Sequence, residues 1–243
     1  MGNELRFLSA EQTQAFDVEY VNDLLFERVK QAINHHCGPF TPTRFVDVGG
    51  GNGSYSDKIL EHFPMANTVV VEPDQGLLNK NRVHPRKSLM HAPFQHMDTL
   101  ARTDVINFNW VLHHFVSDNY QASCHAQLSA LKLANEMLSQ DGIVTIFENF
   151  YDDKNGGDVP GKRINQLTSS QLLSPITRYF GANTAGVGVA FHSEKTWVSM
   201  LEKAGFTDIQ VSHCYDFGNL NKTKRRLLGI DKQRVGFISA KKA

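Results

Sequence analysis

The chain has 243 residues, which fits one domain with a modest helical addition, and its 41% hydrophobic content is enough for a core. Its 25 basic and 25 acidic residues cancel, so it lacks the basic surplus that a nucleic-acid partner requires, and no run is long and apolar enough to span a membrane. The three cysteines, Cys37, Cys124 and Cys214, are odd in number and far apart, which points to a reduced, cytoplasmic protein and offers no zinc-site spacing, so no metal is expected.

In chain order, the first residues, Met1-Gly2-Asn3-Glu4-Leu5-Arg6-Phe7, lack a signal-peptide profile. Residues 9–37 read as helical. Ser9 suits an N-cap with Gln12 three residues on, and Phe16, Tyr20, Leu24, Leu25, Val29 and Ile33 recur at helical spacing. Gly38-Pro39 ends this region and Pro42 marks a loop. Residues 1–40 are therefore read as an N-terminal helical cap and 41–243 as the main domain. Phe16 and Tyr20 either touch a ligand or pack on the sheet.

From residue 44 the pattern alternates strand and helix. Strands are expected at 44–48, 68–72, 88–92, 104–109, 143–148, 207–215 and 234–240. Helices are expected near 54–63, 74–81, 120–139 and 194–204, with Asp141-Gly142 as the turn into the fifth strand. Such alternation implies a doubly wound, mostly parallel seven-stranded α/β sheet with helices on both faces. Two stretches fall outside it. Residues 150–193, following the fifth strand, are long enough to be functional and are read as a lid, with Leu172, Tyr179, Phe180 and Phe191 as candidate contacts. Residues 219–233, with Lys222, Lys224, Arg225 and Arg226, are read as a solvated loop or short helix joining the last two strands.

The first strand ends in Asp47 and runs into Gly49, Gly50, Gly51, Asn52 and Gly53, after which Ser54 opens a helix. Glycine lets a ligand approach the backbone, and a nucleotide-like ligand lies naturally across a strand-to-helix turn. The second strand ends in Glu72, about twenty residues on, where an open parallel sheet places an acid for both ribose hydroxyls. A dinucleotide fingerprint, G-x-G-x-x-G, does not fit, because Ser54 stands where its third glycine belongs.

The pair formed by Val46-Asp47-Val48-Gly49-Gly50-Gly51-Asn52-Gly53 and Val70-Val71-Glu72 resembles the S-adenosylmethionine-dependent methyltransferases of the doubly wound, class I type, over roughly residues 40–240. The resemblance implies S-adenosylmethionine as cofactor and a last strand antiparallel between its neighbours. It also implies that Asp47 helps hold the methionine end, and that the N-terminal segment packs over the cofactor mouth. Many relatives carry an acid after the third strand for the adenine amino group; here Ala92 stands in its place, followed by Pro93, Phe94 and Gln95. Phe94 is expected to pack on the adenine, with Gln95 or Asp98 replacing the acceptor, and Pro93 and Asn109 complete the expected cofactor contacts.

The segment Asn109-Trp110-Val111-Leu112-His113-His114-Phe115 resembles the part of small-molecule O-methyltransferases whose histidine is the general base. His113 falls on that histidine, while His114 replaces the following aspartate; either histidine serves as base, or His113 binds a backbone group. Glu148, ending the fifth strand, falls where an acid orients the base. A carboxylate there fixes an imidazole's tautomer. Trp110, His114 and Asn149 are candidate substrate contacts. The chain shows neither the extra N-terminal dimerisation domain of the plant-type enzymes nor the Asn-Pro-Pro-Tyr or Asp-Pro-Pro-Tyr run of many nucleic-acid N-methyltransferases. The expected protein is a monomer or homodimer that methylates oxygen of a hydroxylated or aromatic metabolite. The alternatives are methylation of carbon or nitrogen, and a cofactor-binding module without turnover.

Overall fold

A computed structural model describes Arg6 and residues 21–37, 41–97, 102–172, 174–175, 184–218 and 220–243. Seven strands form one sheet in the order β3-β2-β1-β4-β5-β7-β6: β1 Arg44–Val48, β2 Asn67–Glu72, β3 Lys87–His91, β4 Thr103–Asn109, β5 Leu138–Asp152, β6 Phe206–Asp216 and β7 Lys232–Lys242. β1 to β5 pair in parallel, and β7 is antiparallel between β5 and β6. The central strands are largely apolar and buried on both faces, broken only by buried polar residues such as Asp47, Asn107 and Thr145. Phe108 and Ile106 of β4 and Ile146 and Val144 of β5 are fully buried.

The helices among the described residues are α1 Asp23–Cys37, α2 Ser54–His62, α3 Gln75–Leu78, α4 Tyr120–Met137, α5 Val159–Ser169, α6 Glu194–Lys203 and α7 Lys222–Leu228. α1 buries Leu25, Phe26, Val29, Ala32 and Ile33, a stripe at helical spacing. Leu24 was expected on this stripe, yet it is 81% exposed, because one residue before Leu25 lies about 100° round the helix. Ser9, Gln12, Phe16 and Tyr20 lie outside the described residues. α4 starts where Asn119 Oδ1 accepts the Ala122 N–H at 3.0 Å, and α6 where Ser193 accepts the Thr196 N–H at 3.3 Å.

Two elements depart from the sequence reading, one of them at both ends. α3 is one turn instead of two: Asp74 caps its start at Leu77 N, 2.9 Å, and the Asn81 amide bonds the Leu78 carbonyl at 3.1 Å, ending it. Asp141-Gly142 is no turn outside the sheet, because β5 runs unbroken from Leu138, with a register shift against β4 between Thr103 and Val105. β5 also continues to Asp152, since β7 supplies partners that the parallel strands do not: Asn149 pairs with Val235 and Asp152 with Lys232. The basic stretch 219–233 holds the short helix α7 and the start of β7.

Candidate active site at the carboxyl ends of the central strands

β1 leads into a turn in which Gly49, Gly51 and Gly53 are all left-handed, with φ of 64°, 52° and 75°. Two of them are glycine because the protein itself crowds them. A Cβ on Gly49 would sit 2.4 Å from Val111 Cγ2, and one on Gly53 1.8 Å from Asn81 Oδ1. Gly51 differs: its Cβ would meet nothing closer than Leu77 Cδ1 at 3.7 Å. Its backbone therefore faces room into which a ligand can come. A Cβ on Gly50 would lie 2.6 Å from Asp47 Oδ2, which places the Asp47 carboxylate directly beneath the turn.

Glu72 closes this turn from β2. Its Oε2 accepts the Gly51 N–H at 3.2 Å and its Oε1 the Asp74 N–H at 2.9 Å. A carboxylate has about four lone-pair sites, so two bonds leave acceptor capacity. Burial raises the Glu72 pKa, against the opposing pull of these two N–H groups. Asn81 donates to the Gly51 carbonyl at 2.8 Å and so fixes the turn from its far side. It lies thirty residues from the glycine, and no sequence signal marks it.

At the end of β4 the chain makes a strained bend. Trp110 has φ of 50°, an outlier for a bulky residue that persists only when neighbours enforce it. Its N–H donates to the Phe147 carbonyl at 2.9 Å, its ring stacks on Phe147 at 5.4 Å and 16°, and its Nε1 donates to Asn149 Oδ1 at 3.3 Å. The bend turns the chain into a single 3-10 turn, Leu112–His114, which brings His113 over β5. There His113 Nδ1 donates to Glu148 Oε2 at 2.8 Å, and the His113 backbone N–H donates to Glu148 Oε1 at 3.1 Å. The Asn149 N–H adds a third bond, 3.2 Å to Oε2. Since every backbone partner of Glu148 is a donor, the carboxylate acts as acceptor, Nδ1 carries the proton, and the Nε2 lone pair is the basic position. Both side chains are almost completely buried. Phe191 stacks on the His113 ring at 4.6 Å and 28°, and His114 packs against it at 4.1 Å. Burial, with a smaller contribution from neighbouring His113, holds the His114 pKa well below the ordinary imidazole value.

The chain matches the methyltransferase-domain family over residues 18–211. It belongs to that family. Isoflavone-7-O-methyltransferase 6 of Medicago sativa is 26% identical over 178 residues, covering 72% of this chain and 44% of that protein. The chain thus matches less than half the length of that curated relative. Among solved structures, a Burkholderia thailandensis 1,6-didemethyltoxoflavin-N1-methyltransferase, with its substrate and S-adenosylhomocysteine bound, superposes with a TM-score of 0.58. It is 16% identical, covering 96% of this chain and 83% of that one. The N-methyltransferase NodS of Bradyrhizobium japonicum WM9, in complex with S-adenosylhomocysteine, gives a TM-score of 0.56 at 12% identity, covering 95% and 98%. These likenesses establish the methyltransferase fold.

In this methyltransferase domain the segment after β3 is built differently from the sequence expectation. Phe94 is 2% exposed and packs edge-on against Phe108 at 5.4 Å and 89°. Its ring thus belongs to the core under β4 and offers no open face to a base. Pro93 precedes it as the N-cap of a 3-10 turn, Phe94–His96. The Nε2 of Gln95 and both amide atoms of Asn109 are buried without a well-formed hydrogen bond. Asp98 lies outside the described residues. Trp110 is 7% exposed and joins the core with Phe147 and Val235, while Leu172 is 92% exposed. Tyr179 and Phe180 also lie outside the described residues.

The sequence reading missed a polar cluster behind His113. Gln127 of α4 donates through Nε2 to the Leu112 carbonyl at 3.0 Å and the Ala190 carbonyl at 2.8 Å, and its Oε1 accepts from His192 Nε2 at 2.6 Å. His192 Nδ1 meets the Tyr120 hydroxyl at 2.9 Å and Asp158 Oδ2 at 3.1 Å. Asp158 also accepts the Ser193 N–H at 2.6 Å. Its pKa falls to about 2, the His192 hydrogen bond and charge outweighing the upward push of burial. This cluster holds residues 190–193, and with them Phe191, against the His113 turn, where the Ala190 N–H donates to the His113 carbonyl at 2.9 Å.

Asp47 carries a testable electrostatic cost. Burial pushes its carboxyl up to about 7, the Ser56 hydroxyl bond (2.9 Å) opposes this, and the Glu72 charge adds to it. A folded pKa above the unfolded value means the folded state binds the proton more tightly. The resulting stability is fully present below about pH 4 and is lost as pH rises through about 7. Asp47→Asn removes this dependence. Its stability relative to the parent should grow by about 1–3 kcal/mol between pH 5 and pH 8, read from urea unfolding at both pH values. Parallel pH profiles for the two proteins would refute a buried, strained carboxylate.

Proposed function

We propose that this chain is an S-adenosylmethionine-dependent methyltransferase acting on an oxygen of a hydroxylated or aromatic small molecule. The observation that carries the reading is the buried His113–Glu148 pair at the ends of β4 and β5, beside a glycine turn whose Gly51 faces open room. The relatives named as O-methyltransferases support it. The residues present suit the cofactor on their own geometry: Glu72 keeps acceptor capacity for ribose hydroxyls, and Asn109 and Gln95 hold buried polar atoms without well-formed bonds at the strand ends. In this reading Glu72, Gly49, Gly50, Gly51 and Gly53 hold the nucleoside and methionine parts, with Asp47 beneath the turn on the methionine side. When bound, the cofactor supplies a methyl group on a sulfonium, already a good leaving group.

The protein's part is alignment, exclusion of water and removal of a proton. His113 takes the acceptor's hydroxyl proton at Nε2 as the oxygen gains the methyl group. Glu148 holds the imidazolium charge at Nδ1 and keeps the ring in its tautomer. Trp110 braces the bend behind them, and Asn149 and His114 border the acceptor. We read residues 1–40 as a cap and 150–193 as a lid whose Phe191 shields the base, and the protein as cytoplasmic. No helix among the described residues is long and apolar enough to cross a membrane.

Calorimetric titration with S-adenosylhomocysteine tests the cofactor assignment. Gly51→Leu should abolish binding, because its side chain would occupy the open room. Glu72→Ala should weaken it by roughly 1–3 kcal/mol through loss of charge-assisted bonds. Unchanged affinity in both variants, or preference for a nicotinamide dinucleotide, would overturn the assignment. Labelled cofactor with a panel of phenols then separates turnover from binding without turnover.

A further inference from the structure

At the far end of the sheet from His113, three side chains converge from two elements that are remote in sequence. His35 and His36 occupy the last turn of α1, and Asp208 lies near the start of β6. Asp208 Oδ2 is 3.1 Å from His35 Nε2 and 3.2 Å from His36 Nδ1, and all three donor atoms lie within 4.8 Å of one another.

Hydrogen bonding accounts for only part of this. The His36 side chain is fully buried and its Nε2 sits 2.9 Å from Ser239 Oγ. Its Nδ1 is buried and lies 3.2 Å from the Asp208 carboxylate, with which it interacts electrostatically but makes no well-formed hydrogen bond. The Ser239 hydroxyl either accepts from Nε2 or donates to it; in the tautomer with the proton on Nε2, Nδ1 presents a lone pair toward the carboxylate, the arrangement that a cation between the two stabilises. Zinc bound tetrahedrally at about 2.0–2.1 Å sets neighbouring ligand atoms about 3.3 Å apart. The two measured separations match that spacing.

The backbone is also arranged to present Asp208. It is left-handed, with φ of 46°, at a bulge in the β6–β7 pairing between Thr207 and Gln210, and such bulges re-aim side chains. Its other oxygen accepts from Gln210 Nε2 at 2.8 Å, and Ser239 holds the His36 ring. Both are the outer partners that orient metal ligands. The nearby Lys241 ammonium is occupied by Asp141 at 3.1 Å.

We propose that His35 Nε2, His36 Nδ1 and Asp208 Oδ2 form a binding site for a divalent transition metal of the zinc class, with solvent completing the shell on the exposed His35 and Asp208 side. Two imidazoles and one carboxylate suit such a metal better than magnesium or calcium, which prefer all-oxygen shells. The site fastens the end of α1 to the β6–β7 hairpin, and it is independent of the proposed catalysis. No cysteine spacing announced it, and the sequence reading expected no metal. His35 and Asp208 are 173 residues apart, so only the fold brings the ligands together.

Titration of tag-free, chelator-treated full-length protein with zinc, and separately with cobalt, tests the proposal. The expected result is one equivalent bound, a rise in melting temperature, and an intense visible cobalt band of a tetrahedral site. His35→Gln and Asp208→Asn should each weaken zinc by at least tenfold, while His113→Ala leaves it unchanged. His35 is exposed, so its variant keeps the test informative should the Asp208 change impair folding. No saturable binding, equal binding in the His35→Gln protein, or loss of binding only in His113→Ala would each overturn the proposal.

Discussion

His113→Ala is expected to lower turnover of a hydroxylated acceptor by about 10²–10⁴-fold, the usual worth of a positioned general base. Binding of S-adenosylhomocysteine should hardly change, because the glycine turn follows β1 and Glu72 ends β2, two and three strands removed from the β5 of Glu148 in the sheet order. Glu148→Gln should cost less. Its carbonyl oxygen still accepts the Nδ1 proton, but the negative charge that supports the imidazolium formed in the reaction is gone. His114 is the internal control. Its burial favours the neutral ring, and its replacement should alter substrate affinity more than the pH profile. If His114→Ala removes turnover and His113→Ala does not, the base is assigned one residue too early. If neither matters, the reaction needs no side-chain base, and methylation of carbon or nitrogen becomes the better reading.

The order of strands and helices could be read from the sequence because each element is a local pattern: an apolar run of five or six residues, or a stripe at helical spacing, bounded by Gly, Pro or a cap. Asp47, the glycines and Glu72 could be read for the same reason, since their spacing is fixed by one strand–turn–helix–strand unit. The pairing of His113 with Glu148 required β4 and β5 to be neighbours, which the family resemblance supplied. Other features depend on contacts that no local pattern encodes. The strained bend at Trp110 exists because Phe147 and Asn149 hold it, and Phe94 turns inward because Phe108 lies across from it. Gln127 and His192 read alone as an ordinary helix residue and an ordinary loop residue; their bonds span 15 to 65 positions.

That hidden cluster leads to the second large effect, because Gln127→Leu should destabilise the protein by at least about 3 kcal/mol. Gln127 is fully buried and satisfies three groups at once: the Leu112 carbonyl, the Ala190 carbonyl and the His192 Nε2 proton. Leucine is of similar size but offers none of these bonds, and each orphaned buried group costs about 1–3 kcal/mol. The loss should also reach the dyad. Residues 190–193 are clamped between Gln127 on one side and α5 on the other, where Gly161 packs so closely that a Cβ would fall 1.9 Å from the Phe191 carbonyl. Releasing the Gln127 side frees Phe191 from the His113 ring, so residual activity at low temperature should show a raised KM and faster hydrogen exchange at 189–193. Urea unfolding measures the first effect and exchange measures the second. A loss below about 1 kcal/mol would mean that water replaces the glutamine and that the cluster does not hold the lid. A full loss of stability with unchanged exchange at 189–193 would make Gln127 a core residue with no part in positioning Phe191 over the base.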